Sequence, residues 1–414
     1  MSIVLTPLQD KAKKLINDWY NGKYISRYPD PNVFVLGGIA GSGKSTMLFE
    51  AINELGLEIG KDVIFCTFTG MAASVLSRKK CPAATIHRTI YNIAKIQDKK
   101  TKKYKYVYRL KTKDEMDGIK LIVNDEASMT PPNILEELRS FGIKILTVGD
   151  PEQLPSIAGS NNLFEYMDVF LDEPHRQALD NPIFWLANEV RLGNYVDYGR
   201  YGGNVQIVPK LSVSEDNLVK LIKTADQVMV AKNKTAKYIN DLYRARVLDI
   251  YPEDNRPLPT VGEKLMCVKN NWGNSIKLEN GAEIFLVNGI IGYLDGLVEA
   301  HQKANVSNIL FRPEFSDNSY DPIMMDNVPF EDPRVDPKGD NVLDYYPKLQ
   351  LHRHDEAYSN LDYFVFAYAC TIHKLQGSSM KKGLLIEEVL NKKWHKNLLY
   401  TAITRAEEKL IILR

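Results

Sequence analysis

The stretch Val33-Phe-Val-Leu-Gly-Gly38-Ile-Ala40-Gly41-Ser42-Gly43-Lys44-Ser45-Thr46 passes from four apolar residues straight into the pattern G-x-x-x-x-G-K-[ST]. The apolar run predicts a buried strand, and Met47-Leu-Phe-Glu-Ala-Ile52 predicts a helix after the glycines. A strand, a glycine-rich turn and a helix N-terminus in that order present backbone N–H groups and partial positive charge to a polyphosphate. Gly38, Gly41 and Gly43 let the backbone pass close to the phosphates, and Ala40, Ser42 and Thr46 complete the loop. The pattern assigns Lys44 to the β- and γ-phosphates and the Ser45 hydroxyl to a magnesium ion. A nucleoside triphosphate is the expected ligand. The bland alternative is a glycine-rich turn with a solvated lysine.

Outward from this stretch, short apolar runs at Val63–Thr67, Leu121–Val123 and Ile143–Val148 predict further buried strands, most of them separated by helical patterns. Thr6-Pro7-Leu8-Gln9 opens a helix to about Tyr20. Alternating strands and helices imply a doubly wound parallel sheet with ligands at the carboxyl ends of its strands. A second set, Gln227–Ala231, Tyr363–Tyr368, Gly383–Ile386 and Lys409–Leu413, predicts another such sheet, with the boundary near 180–220. The expected fold is α/β, two parallel-sheet lobes with two insertions. The first lobe takes 1–88 and 119–180, and the second takes 181–261 and 356–414. Residues 89–118 form a basic β-hairpin, with nine bases between Lys95 and Lys113 against Asp98 alone, and Tyr104, Tyr106 and Tyr108 alternating. Residues 262–355 are expected to form a small β-barrel with an irregular acidic and Pro-rich loop over Pro313–Asp340.

Leu121-Ile-Val-Asn-Asp125-Glu126 is an apolar strand ending in adjacent carboxylates. Beside a phosphate loop, the first acid suits a magnesium ion and the second suits orienting and deprotonating an attacking water. A plain helix N-cap is the alternative for this pair. Gln153, in Val148-Gly-Asp-Pro-Glu-Gln-Leu-Pro, follows the next strand and suits a contact to the γ-phosphate or that water, although Gly-Asp-Pro is also an ordinary turn. Arg176 and Arg405 are candidates to stabilise charge during phosphoryl transfer across a cleft, and either one is also consistent with a surface charge.

Composition narrows the class. The chain has 414 residues, 44% of them hydrophobic, and a net charge of +1, so nucleic-acid contacts must come from local patches rather than a global field. No run approaches the ~18 apolar residues of a membrane span. The first residues lack the pattern of a secretory signal, and the four cysteines are scattered without CxxC spacing. A cytoplasmic protein with reduced thiols and no zinc site is expected.

Taken in order, the motifs resemble the superfamily 1 DNA helicases, in the RecD/Dda-like branch. The matches are Gln9, GIAGSGKST, CTFTGMAASVL (Cys66–Leu76), ATIHR (Ala84–Arg88), VNDEAS, VGDPEQLP, HRQ, AKNKTAKYIN (Ala231–Asn240), YACTIHKLQGSS (Tyr368–Ser379) and LLYTAITRAEEKL. The resemblance implies two RecA-like lobes with a hairpin pin and an SH3-like barrel as insertions, ATP and Mg2+ as fuel and cofactor, 5′→3′ movement along single-stranded DNA, and action on forked duplex DNA. It implies a monomer, with replication or recombination proteins as partners. Gln9 would read the adenine edge, although its spacing from Thr6 also fits a capping box. Thr69, Thr85, His87, Thr371, His373 and Lys374 fall on motifs that line the nucleic-acid channel, where hydroxyls and imidazoles suit phosphate and sugar contacts. Phe68 suits stacking on a base or core packing. Gln376 and Gly377 fall near the second-lobe edge of the nucleotide site, and Tyr104 lies in the hairpin that occupies the place of a strand-separating pin. A translocase or RNA helicase on the same scaffold, or a slow nucleotide-switched binding module, are the rival readings.

Overall fold

The computed structural model describes residues 4–79, 81–97, 104–156, 162–173, 180–251, 258–279, 281–301, 306–327, 330 and 361–414. The chain begins with helix α1 (Pro7–Tyr20), fixed at its start by a capping box. The Thr6 hydroxyl accepts from the Gln9 N–H at 3.2 Å and Gln9 Oε1 accepts from the Thr6 N–H at 2.8 Å. Strand β1 (Val33–Gly38) is buried along its whole length and leads through the glycine loop into α2 (Lys44–Glu54). The remaining strands of this sheet are β2 (Val63–Thr67), β3 (Ala83–Thr85), β6 (Leu121–Asp125), β7 (Lys144–Gly149) and β8 (Val169–Leu171). Their order is β3-β2-β6-β7-β1-β8 and every pairing is parallel. A parallel sheet must be covered on both faces, which is why its inner strands read as unbroken apolar runs. On one face α1 and α2 bury Ile16, Trp19, Phe34, Leu36 and Met47; on the other, α4 (Ile86–Ile90) and α5 (Pro132–Arg139) bury Val33, Ile122, Leu135 and Ile145.

Between α4 and β6 the chain makes the hairpin of β4 (Tyr91–Gln97) and β5 (Tyr104–Leu110), paired antiparallel from Tyr91↔Leu110 to Gln97↔Tyr104. Its root is tied to the lobe. The Tyr91 hydroxyl donates to Glu137 on α5, Lys111 Nζ donates to the Thr89 carbonyl at 2.8 Å, and Arg109 forks onto Glu115 at 2.7 and 3.0 Å. The lysine-rich tip, 98–103, lies outside the described residues.

The second lobe has a six-stranded sheet in the order β19-β11-β20-β21-β10-β9. Its strands are β9 (Gly199–Tyr201), β10 (Val205–Val208), β11 (Gln227–Val230), β19 (Ala369–Thr371), β20 (Met380–Ile386) and β21 (Ala406–Leu413), parallel except for β9. Helices α6 (Pro182–Leu192) and α9 (His395–Ile403) cover one face, and α7 (Glu215–Thr224) and α8 (Asn233–Val247) cover the other. Gly202-Gly203, within the 180–220 region expected to hold the boundary, lie in the turn of the β9–β10 hairpin inside this sheet.

Between α8 and β19 lies an antiparallel unit in the order β17-β16-β15-β12-β18: β12 (Lys264–Cys267), β15 (Ile291–His301), β16 (Val306–Pro313), β17 (Ile323–Asp326) and β18 (Phe364–Phe366). Asp362, just ahead of β18, bridges Met325 of β17, with the Asp326 N–H on the Asp362 carbonyl at 2.9 Å and the Asp362 N–H on the Met324 carbonyl at 2.8 Å. The hydrogen bonding therefore runs full circle, as a small barrel requires. A ribbon of β13 (Asn271–Lys277) and β14 (Glu283–Leu286) shares its core, which holds Leu265, Leu286, Phe311, Tyr320 and Phe364.

Two expectations are corrected here. The predicted strand Tyr363–Tyr368 is two strands in two sheets, because Phe364–Phe366 pairs with β12 in the barrel and Ala369–Thr371 pairs with β11 in the lobe. A single apolar run carries no mark of where it changes partner. The stretch expected to be irregular from Pro313 contains β17, whose alternation is hidden among Asp and Met residues, while 331–340 of that stretch lies outside the described residues.

Candidate nucleotide site and nucleic-acid face

The glycine loop is shaped before anything enters it. Gly43 has φ +75°, and a Cβ there would lie 2.3 Å from Gln9 Nε2, so only glycine fits. Gln9 Nε2 donates to the Ser42 carbonyl at 2.9 Å, and the Ser42 hydroxyl donates to the Ile39 carbonyl at 2.8 Å. Both ends of the Gln9 amide are thus engaged within the protein, in the capping box and on the loop. Lys44 Nζ donates to the carbonyls of Gly38 at 2.7 Å and Ile39 at 2.9 Å, which holds the ammonium over the loop. Ser45 and Thr46 are exposed at the start of α2.

Asp125 ends β6 and accepts the Glu126 N–H at 2.9 Å. Burial and the neighbouring Glu126 carboxylate push the Asp125 carboxyl up to about 6, against the pull of Lys44. Glu126 itself has φ +51°, a left-handed conformation that non-glycine residues rarely adopt and that costs roughly 1–3 kcal/mol. A hydroxyl and a carboxylate of this kind are the hard oxygen donors that magnesium takes.

The loop after β7 is where the two lobes meet. Asp150 is 1% exposed and Gln153 is buried, with its N–H on the Asp150 carbonyl at 3.2 Å. Leu154 leaves the first lobe and packs in the core of the second with Leu399, Ala402 and Leu375. Its N–H donates to the Thr401 hydroxyl at 3.0 Å, and its carbonyl accepts from Gln376 Nε2 at 3.0 Å. The Glu152 carbonyl accepts from Asn397 Nδ2 at 2.9 Å, and the Tyr400 hydroxyl reaches both Asp150 and the glycine loop. Gln376 therefore grips the loop that carries Gln153. Arg405 is buried, and its recorded hydrogen bonds all stay in its own lobe, to the carbonyls of Thr401 and Ser378 and the Thr404 hydroxyl. It stands one helical turn from Thr401 at the seam. Arg176 lies outside the described residues.

The residues expected on the nucleic-acid face divide by role. The hydroxyls of Thr69 and Thr85 each accept a backbone N–H at 3.3 Å as the N-caps of α3 (Gly70–Arg78) and α4, so their first work is structural. Phe68, His87, Tyr91 and Tyr108 form a run of rings with centroids 5.7–6.0 Å apart, leading from the end of β2 onto the hairpin. Burial lowers the pKa values of His87 and His373, which keeps both imidazoles neutral at pH 7 and limits them to hydrogen bonds. Lys374 is exposed, Thr371 buried. Tyr104 opens β5, its backbone opposite Gln97. Gly377 has φ +80°, and a Cβ there would lie 2.8 Å from Ala72 Cβ, so second-lobe backbone presses directly on α3. The barrel reaches the same place, with Val287 against Gly70 and the Arg88 guanidinium 3.6 Å from the Phe285 ring centroid. Missed from sequence were Asp150, Leu154, Tyr400 and Thr401. Each stood inside a recognised motif, but their partners lie more than 200 residues away.

Comparison with known proteins agrees with this architecture. Residues 29–192 match the model of an AAA domain, and residues 366–413 match that of a UvrD-like helicase C-terminal domain. Solved Pif1 helicases share the fold. The Candida albicans enzyme is 17% identical with a TM-score of 0.52, covering 100% of this chain and 95% of its own. The Bacteroides enzyme bound to single-stranded DNA is 18% identical with a TM-score of 0.52, covering 99% and 92%. An uncharacterized protein of Methanocaldococcus jannaschii is 24% identical over 92% of this chain, which spans about a third of that relative, 36% of its length. The two family models thus fall on the first lobe and on the end of the second, and the fold is the one seen in the Pif1 helicases.

Proposed function

We propose that the chain is an ATP-hydrolysing motor that moves 5′→3′ on single-stranded DNA and separates the strands of a forked duplex. The observation that carries this reading is the seam itself. The loop following the strand beside the Asp125–Glu126 strand is held by the second lobe at Leu154, Glu152 and Asp150, so a change at the phosphates has a direct route to the lobe–lobe angle. Related solved structures support it, since Pif1 helicases are described with ADP-AlF3 and single-stranded DNA, and as two coordinating copies at forked DNA. Direction rests on the RecD/Dda resemblance.

In this reading Lys44 and the loop amides bind the phosphates, with Ser45 and Asp125 holding Mg2+, which when bound neutralises phosphate charge. Glu126 orients and deprotonates the attacking water, and Gln153 reports the terminal phosphate. Arg405 and Arg176 meet the charge that develops on the transferred group. Arg405 does so after releasing the carbonyls of its own lobe. Thr69, Thr85, His87, Thr371, His373 and Lys374 hold the backbone of the strand, Phe68 and the rings beyond it stack on bases, and the hairpin with Tyr104 meets the fork. The motor works as a monomer, alongside replication or recombination proteins. Among the described residues no helix is long and apolar enough to cross a membrane.

The test is strand separation of 5′-tailed against 3′-tailed duplexes with ATP, with DNA and RNA compared as stimulators of hydrolysis. Unwinding confined to 5′-tailed DNA supports the proposal. Unwinding from 3′ tails, stimulation by RNA alone, or stimulated hydrolysis without unwinding each refutes the corresponding part.

A further inference from the structure

We propose that Tyr400 is a positioning residue through which nucleotide in the phosphate loop acts on helix α9 of the second lobe. The inference rests on the nucleotide-binding reading above. Its basis is one hydroxyl with two partners from the other lobe. The Tyr400 O–H donates to Asp150 Oδ2 at 2.7 Å and accepts the N–H of Ala40 at 2.9 Å. A phenol has one proton to give, and burial with the Asp150 carboxylate beside it holds that proton in place. The donor and acceptor directions are therefore fixed. Tyr400 is 2% exposed and Asp150 1%, so water does not substitute for either bond.

Among the described residues, several hydrogen bonds tie the β7 loop to the second lobe, but only the one from Ala40 ties the glycine loop itself. Ala40 also packs against the second lobe's core. Lys44 sits on the two carbonyls just before it, and its charge is felt at Asp150. Phosphates drawing on Lys44 and the loop amides thus alter both partners of the Tyr400 hydroxyl at once. Tyr400 and Arg405 lie five residues apart, at and just beyond the end of the same helix, so a shift at the hydroxyl carries to the arginine's anchor at Thr401.

The test is amide hydrogen exchange of the full chain, with and without ATPγS and magnesium, in wild type and Tyr400→Phe. In wild type, nucleotide slows exchange in 38–43 and changes it in 395–403 at least about threefold. In Tyr400→Phe the glycine loop still responds to nucleotide and the α9 response is lost. An α9 response of equal size in Tyr400→Phe overturns the inference while leaving the nucleotide reading intact. No response of the glycine loop in wild type overturns both. Asp150→Asn keeps an oxygen for the hydroxyl and retains the α9 response, whereas Asp150→Ala loses it. That pair decides the matter if Tyr400→Phe fails to fold, and equal responses from the two overturn the proposal.

Discussion

Leu154→Ala separates the docking of the two lobes from the folding of either. Leu154 is 3% exposed, belongs by sequence to the first lobe, and fills a site in the core of the second. Its backbone is held at both ends, by the Thr401 hydroxyl and by Gln376, so truncation leaves the loop in place over a cavity that cannot collapse. Removing a buried leucine side chain under such conditions costs about 2–5 kcal/mol, and we take the lower half, about 2–3 kcal/mol, because the site borders the seam. At 1.4 kcal/mol per tenfold, the docked arrangement loses about 30- to 150-fold in population relative to separated lobes. Neither sheet loses a contact of its own, so both lobes remain folded. Single-molecule energy transfer reads this directly, with dyes on Lys61→Cys and Lys381→Cys, both exposed positions in opposite lobes. The native thiols do not interfere: all four cysteines are buried and burial raises their pKa values, which keeps them protonated and slow to label. A distribution of lobe distances unchanged by Leu154→Ala, in the presence or absence of nucleotide, refutes the claim that this side chain holds the seam.

Three other outcomes are expected. Glu126→Gln binds nucleotide within about threefold of wild type but turns over at least about 100-fold more slowly, measured by fluorescent-nucleotide titration and phosphate release, and normal turnover would remove Glu126 as the base. Burial pushes the Asp362 carboxyl up to about 6 against an unfolded value near 3.9, so the folded barrel holds the proton better and stability falls as pH rises from about 4 to about 6. Asp362→Asn, which keeps an acceptor for Asn271, therefore raises barrel stability by about 2–3 kcal/mol at pH 8 and by little at pH 4, and a gain independent of pH in thermal unfolding contradicts this. Gly377→Ala and Gly118→Ala both force alanine into φ of +80° or +85°, a cost of about 1–2 kcal/mol each, but only the first drives a Cβ into Ala72. Single-stranded DNA affinity and stimulated hydrolysis fall in Gly377→Ala alone; equal behaviour of the two variants would mean that the contact with α3 is immaterial.

Local chemistry made much of this legible in sequence. The glycine loop, the capping box at Thr6 and the acid pair after β6 are patterns of a few residues whose geometry is set by neighbours in the chain. Buried parallel strands read as apolar runs because both of their faces are covered. Partners far apart in the chain were not legible. Nothing near Phe364 says that it closes a barrel while Ala369, a few residues on, extends a lobe. The same holds for Gln9, whose spacing shows the capping box with Thr6 but not the bond to the Ser42 carbonyl 33 residues on. Polar side chains serve backbone and ligand alike, and spacing alone does not say which.

The passage between barrel and second lobe has a mechanical consequence. The described parts of the two connections meet in a buried, hydrogen-bonded joint: the Ala367 N–H is on the Lys264 carbonyl at 3.0 Å, Asn240 spans the carbonyls of Phe366 and Ala369, and Arg244 is locked to Glu263 at 2.8 Å beneath Phe366. Such a joint ties the barrel to the second lobe, which carries it along. Rotation of one lobe on the other would then slide Val287 and Phe285 across α3 and Arg88, so the barrel's contact with α3 moves together with the seam at Leu154.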